Sequence, residues 1–191
     1  MNRKRIDMTN HTQKLKEVLL NDEYIIASLE AVEELNLEDT WICAGLIRNK
    51  VWDVLENVTT HIHDIDVIYF DSSDTSWETE KSLERKLTTF LPKRPWSVKN
   101  QARMHLKSGF APFSSAYDGV AHFPETPTAV AARIYDGKLE IMAPYGLEDL
   151  FEMSVKPTPF YQKDSDYYSV YVERVRNKKW NEIWGNLTIE W

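Results

Sequence analysis

Ten residues, His61-Ile62-His63-Asp64-Ile65-Asp66-Val67-Ile68-Tyr69-Phe70, place two carboxylates one residue apart at the mouth of an otherwise apolar strand. Successive strand side chains alternate faces, so Asp64 and Asp66 are expected to point the same way, roughly 7 Å apart along the backbone. Like charges side by side repel, and a strand entering a core is expected to bury apolar groups instead. A divalent cation between the carboxylates would relieve both problems. The first reading is therefore a metal-dependent enzyme.

Length and composition set the frame for that site. A chain of 191 residues, 42% of them hydrophobic, with seven Trp, nine Tyr and seven Phe, is long and apolar enough for one sizeable core. A net charge of −7 gives no global attraction to nucleic acid or to an anionic membrane, so any polyanion must meet a local patch. Cys43 is the single cysteine, which excludes a disulfide framework and a cysteine-based zinc site. No window holds about 18 consecutive apolar residues, and the polar start, Met1 to Asn10, has no apolar leader region. The expectation is a soluble cytoplasmic protein with no membrane partner. The pattern fixes no oligomeric state.

Along the chain, Leu15, Val18, Leu19, Ile25, Ile26, Leu29, Val32 and Leu35 recur at three- and four-residue spacing, which predicts helix over 12–36, interrupted at Asn21-Asp22. Thr40 to Ala44 reads as a short buried strand running through Gly45 into a helix over 46–55, and the carboxylate strand follows at 64–70. Thr75-Ser76-Trp77-Glu78 has the capping-box pattern of a helix start, with Leu83, Leu87, Phe90 and Leu91 as its apolar face and Pro92 as its stop. Pro95 to Asn100 is a strand, and 106–128 is loop-rich with Pro112, Pro124 and Pro127. Asp136-Gly137 between two apolar runs is a strong hairpin signal, and a last helix is predicted over 165–183. The order implies an α/β (α+β) fold, a mixed sheet flanked by helices. It is read as one domain over 1–191, with a core at 40–155 and helical extensions at 10–37 and 160–191.

The strand–Ala44-Gly45–helix corner precedes the aspartates by about twenty residues. A glycine at such a turn lets a phosphate approach the backbone, and the helix start offers free N–H donors. Arg48 adds a guanidinium in the first turn. One element then suits a triphosphate and the other its metal.

Ala44-Gly45-Leu46-Ile47-Arg48-Asn49 followed by Asp64-Ile65-Asp66-Val67 resembles the Gly-Gly-x-Val-Arg-Asp … Asp-x-Asp signature of CCA-adding enzymes and bacterial poly(A) polymerases, within the nucleotidyltransferase superfamily. The resemblance covers their catalytic head domain, about residues 40–155. Over its whole length the chain resembles a small bacterial family of nucleotidyltransferase-like proteins, through Pro95 to His105 and Ala143 to Phe151. Ala44 stands where the head motif prefers a second Gly, and Asn49 where it has Asp.

The resemblance implies a polymerase-β-like nucleotidyltransferase fold and a third carboxylate on a neighbouring strand. Glu140, opposite in face to Leu139 and Ile141, is the candidate, with Asn100 as a weaker one. It implies an enzyme in which Asp64, Asp66 and Glu140 hold Mg²⁺ (or Mn²⁺), hard cations that prefer oxygen ligands. A nucleoside triphosphate such as ATP would sit against Ala44, Gly45, Arg48 and Asn49, and a nucleoside monophosphate would pass to a hydroxyl of an RNA or a small molecule, releasing pyrophosphate. Lys99, Asn100 and Arg103 are candidate substrate contacts.

Two rivals have different chemistry. His61-x-His63-Asp64 is similar to the His-x-His-x-Asp-His metal-binding loop of metallo-β-lactamase-fold hydrolases, yet Ile65 and then Asp66 stand where a His should follow the Asp. The plainer reading leaves both histidines exposed ahead of the strand. A non-catalytic nucleotide or RNA binder would use Arg174, Arg176, Lys178 and Lys179 beside Trp180 and Trp184 as a basic and aromatic patch. There the plainer reading is a solvated helix face with both tryptophans in the core.

Overall fold

The apolar rhythm of the N-terminal segment folds as two helices, α1 (Met8–Leu20) and α2 (Glu23–Glu33), and Asp22 caps the second by accepting from the Ile25 N–H. The computed structural model describes residues 8–191, so the expectation about Met1 to Asn10 falls largely outside the described residues. Next come β1 (Thr40–Cys43), α3 (Gly45–Glu56), β2 (Ile65–Tyr69), α4 (Trp77–Phe90) and β3 (Trp96–Asn100). Then follow α5 (Gln101–Ser108), α6 (Ala116–Ala121), the hairpin β4 (Ala131–Tyr135) and β5 (Lys138–Met142), and α7 (Glu148–Phe151). The chain finishes with β6 (Ser154–Val155), α8 (Tyr168–Lys178), α9 (Trp180–Ile183) and β7 (Thr188–Ile189).

Five strands form a mixed sheet in the order β3-β2-β1-β4-β5, in which β2 and β3 are parallel and the other pairs antiparallel. The expected α/β sheet flanked by helices is what the chain builds. Both residues of the Asp136-Gly137 turn have positive φ, 52° and 68°, as the mirror-image hairpin turn demands.

One sheet face presents Ile42, Ile65, Val67, Tyr69 and Val98 to the main core, where they meet Leu15, Leu19, Leu29, Ile47 and Val51 of the first three helices. The same core takes in the C-terminal segment. Trp52 stands edge-on to Trp180 and Trp184, with ring centroids 5.8 and 5.0 Å away. Its Nε1 donates to the Leu150 carbonyl at 3.0 Å, and Trp184 Nε1 donates to Asp53 at 3.0 Å. Both tryptophans thus follow the plainer of the two readings.

Local differences from expectation have local causes. Helix α4 starts one residue later than the capping-box pattern, because Ser76 rather than Thr75 is the cap and accepts from Thr79 N–H. Residues 106–121, expected as loop, include the end of α5 and all of α6. Of the α5 side chains only Gln101 is buried, so no apolar rhythm announced that helix. Gly119 in α6 lies directly over Gln101, whose Cγ is 2.9 Å from where a Cβ on Gly119 would stand. The single C-terminal helix is two, broken at Lys179 with φ 51°. None of the described helices is long and apolar enough to cross a membrane.

Candidate active site

The second face of the sheet carries the site. Register pairs Asp66 with Cys43 on one side and Ser97 on the other, and Cys43 in turn with Ala131. Directly paired residues project to one face, so Asp66, Cys43 and Ser97 share it. Farther along, Trp41, Ile68, Ala131 and Met142 make an apolar floor under Ala116 and Val120 of α6. Beside this floor, between the sheet and helices α5 and α6, lies a cavity of about 550 Å³, bounded by Cys43, Ala44, Asp66, Ser97 and Lys99 below, Gln101, Met104 and Lys107 from α5, Phe113, His122 and Phe123 around α6, and Tyr161 and Arg174 from the C-terminal segment. That volume suits a nucleotide-sized ligand.

Asp66 lies within β2 and is half-buried; Asp64 immediately precedes the strand and is exposed. Asp64 also closes on the glycine corner, its Oδ1 3.9 Å from where a Cβ on Gly45 would stand. Burial, and then the charge of Asp64, push the Asp66 carboxyl above the usual range, while a hydrogen bond with Ser97 and the charges of Arg174 and Lys99 pull it back only in part. Burial, Asp66 and Asp64 likewise push the Cys43 thiol well up.

The corner departs from expectation in one respect. Ala44 has φ 57° and ψ −118°, a conformation that glycine adopts freely and that costs another residue about 1–3 kcal/mol. Its N–H donates to the Val130 carbonyl at 2.9 Å, so it does not face a phosphate. The available donors are instead the first-turn amides of α3, which has no side-chain cap.

Arg48 is not among the lining residues of the cavity. It is buried, donates to Thr128 Oγ1 at 2.7 Å and to Asn49 Oδ1 at 2.8 Å, and stacks on Trp180 at 4.3 Å and Trp52 at 5.1 Å. Burial lowers its pKa to about 10, with Glu125, Asp66 and Asp64 raising it and Arg174 lowering it. Arg48 and Asn49 thus brace α3 against the core, and the amide oxygen of Asn49 supplies the acceptor that a carboxylate would otherwise give.

Glu140 is also elsewhere. It lies at the hairpin edge in register with Arg133, whose Nε and Nη2 both donate to Glu140 Oε2 at 2.8 Å. Three strand spacings separate β5 from β2 in the sheet order, so Glu140 does not reach the aspartates. Hairpin alternation identified its face correctly and could not show how far along the sheet it stood.

Asn100 is fully buried and caps α5 by accepting from Ala102 N–H, while its Nδ2 donates to the Asp71 and Asp74 carbonyls. Arg103 is spent on Glu80, and Lys99, although it borders the cavity, turns its Nζ toward the Val98 carbonyl at 2.9 Å and toward Glu84 at 3.8 Å. His61 and His63 are exposed and touch each other edge-on at 4.8 Å. Among the described residues no group of three or more His, Cys, Asp or Glu is arranged to hold a metal.

Sequence reasoning missed Ser97, Lys107 and the cavity role of Arg174. Ser97 was discoverable, because it is the one polar residue that parallel pairing with β2 sets beside Asp66. Arg174 was noticed, but as part of a basic patch. The patch disperses: Arg174 borders the cavity, Arg176 stacks on Trp191 at 5.6 Å, and Lys179 pairs with Glu182 at 3.2 Å.

With the site in view, the likenesses to known proteins are informative. No functionally curated protein matches the chain in sequence. Its fold is similar to a solved structure described as revealing a CCA-adding enzyme head domain, with TM-score 0.82, 36% identity, and coverage of 93% of this chain and 95% of that one. It is also similar in fold to the Thermotoga maritima CCA-adding enzyme complexed with tRNA, with TM-score 0.57, 15% identity, and coverage of 93% of this chain but 42% of that one. A CCA-adding enzyme in an apo form gives TM-score 0.51 at 12% identity, with 88% of this chain covered and 47% of that one. The chain thus spans less than half the length of these two enzymes. Residues 30–189 match the sequence profile of the family described as nucleotidyltransferase, and the chain belongs to that family.

Proposed function

We propose that this protein transfers a nucleoside monophosphate from a nucleoside triphosphate to a hydroxyl acceptor, with release of pyrophosphate. The observation that carries the reading is Asp66 on the cavity wall with Asp64 two residues before it, against the uncapped start of α3. The pair fits a hard divalent cation: its donors are carboxylate oxygens, and a cation beside Asp66 would offset the burial and the Asp64 charge that hold its carboxyl above the usual range. Two protein carboxylates are enough where substrate phosphates and water complete the shell. Mg²⁺ or Mn²⁺ held by Asp64 and Asp66 would neutralise phosphate charge and make an acceptor hydroxyl more acidic.

The chain's own residues do the rest. Ser97 holds the Asp66 carboxylate, and the first-turn amides of α3 face incoming phosphate oxygens with the positive end of the helix. Met104, Phe113 and Phe123 line the cavity and keep water from its interior. Tyr161 offers the nucleoside a polar edge. Burial pushes its hydroxyl up to about 12.

The test is pyrophosphate release from each of the four nucleoside triphosphates with Mg²⁺, offered either an RNA 3′ end or a small hydroxylated molecule as acceptor. Turnover that Asp64→Asn abolishes supports the proposal. Nucleotide binding without turnover, unchanged by Asp64→Asn, would establish the rival non-catalytic binder.

A further inference from the structure

We propose that Arg174 grips the phosphate chain of the substrate and that the buried carboxylate of Glu125 aims it there. The inference rests on the transferase reading and assigns a residue outside the signature that suggested it. With Arg48 buried among Thr128, Asn49 and two tryptophans, the expected phosphate-binding guanidinium is missing from the corner. Arg174 supplies one from the opposite wall. It projects from α8 into the cavity that Asp66 and Ala44 border, with its side chain 36% exposed.

Its attachment is asymmetric. Arg174 Nε donates to Glu125 Oε1 at 2.6 Å, and its two terminal nitrogens donate to nothing among the described residues. A guanidinium tethered through Nε presents its remaining donors as a fork, the geometry that suits bidentate contact with phosphate oxygens. Glu125 itself has no exposure, and its Oε2 has no partner among the described residues. A buried carboxylate with one partner is costly unless that partner stays in place, so the pair fixes the guanidinium more firmly than a surface ion pair would. Of the other cations on the wall, Lys99 is turned toward α4, and Lys107 stands exposed near the end of α5 with no such tether.

Glu125 is a positioning residue, and its sign separates that role from simple electrostatics. As a negative charge near bound phosphate it should weaken binding. As the anchor of Arg174 it should strengthen binding.

The experiment is calorimetric titration of the full chain with inorganic tripolyphosphate and Mg²⁺, which needs no knowledge of the base. Arg174→Ala is expected to weaken binding about tenfold or more. Glu125→Gln is expected to weaken it in the native background and to have no further effect beside Arg174→Ala. Arg174→Lys keeps the charge but not the fork, and is expected to bind less tightly than the native protein; it carries the test if the alanine variant unfolds. Native affinity in Arg174→Lys or Arg174→Ala overturns the assignment. Tighter binding in Glu125→Gln, or equal weakening in both backgrounds, overturns the positioning role. Asp64→Asn keeps the underlying reading separate. If tripolyphosphate binds equally with and without Mg²⁺ and Asp64→Asn changes nothing, the transferase reading fails, while the Arg174 variants still decide the grip.

Discussion

Two carboxylates flank β3, and the protein treats them in opposite ways. Glu80, on α4, has no exposure; its Oε1 accepts from Asn100 N–H at 2.8 Å and Arg103 Nε at 2.7 Å, and its Oε2 from Arg103 Nη2 at 2.7 Å. Burial pushes its carboxyl up, but Arg103 and the Asn100 amide outweigh that and hold it below the usual range. Asp66, on the other side of the strand, has Ser97 and a second carboxylate for neighbours, and its carboxyl is held above the usual range. The carboxylate that closes the edge strand is satisfied internally, and the one that faces the cavity is left short of partners. The difference separates a brace from a site.

The sharpest way to break the comparison is to neutralise both sides. Asp64→Asn should lower nucleotide turnover by about 10³-fold, some 4 kcal/mol of barrier, in a pyrophosphate-release assay; a loss under tenfold sinks the catalytic role of the pair. Glu80→Ala should leave Arg103 without its partner and destabilise the fold by about 3–5 kcal/mol in urea denaturation. A stability change within 1 kcal/mol of zero, a threshold set by ordinary surface substitutions at about 0.5 kcal/mol, would mean that water replaces the carboxylate.

A smaller effect is expected at the corner. Ala44→Gly relieves a positive φ at the cost of extra chain entropy, with an expected net gain of about 1 kcal/mol. A loss of stability would show that the alanine methyl packs more favourably than its backbone is strained.

The smallest effect is a matter of sign. Folded Asp66 holds its proton more tightly than the unfolded chain does, so its contribution to stability is lost as pH rises through the raised pKa. In metal-free buffer Asp66→Asn should therefore melt above the native protein at neutral pH, and the gap should close as pH falls below the ordinary carboxylate range. Glu80 runs the other way: its contribution is present above the ordinary range and fades as pH falls. Mg²⁺ should raise the melting temperature of the native protein and not that of Asp66→Asn. Identical melting shifts in the two proteins would place the cation elsewhere.

Much of the fold was legible because its signals are local. The spacing of Leu15, Leu19, Ile25 and Leu29, the Asp136-Gly137 turn and the apolar residues Ile65, Val67 and Ile68 around Asp66 each announce an element through neighbours in the chain. The aspartates were legible for the same reason. Arg48, Glu140 and Arg174 were not, since each owes its role to contacts across the fold: Arg48 with Thr128, Glu140 with a partner on the hairpin edge, and Arg174 with Glu125, which lies 49 residues away in sequence. Helix α5 was hidden for a related reason. It covers the cavity and leaves most of its surface half-exposed, so no apolar stripe marks it.

Gly119 gives that cover its height. With no side chain on α6 at this position, Gln101 fits beneath it, almost wholly enclosed and facing the cavity. A single methyl group there would drive the glutamine downward or lift the short helix. The height of the cavity above Asp66 is therefore set by an atom the chain does not have, at a position that carries no charge of its own.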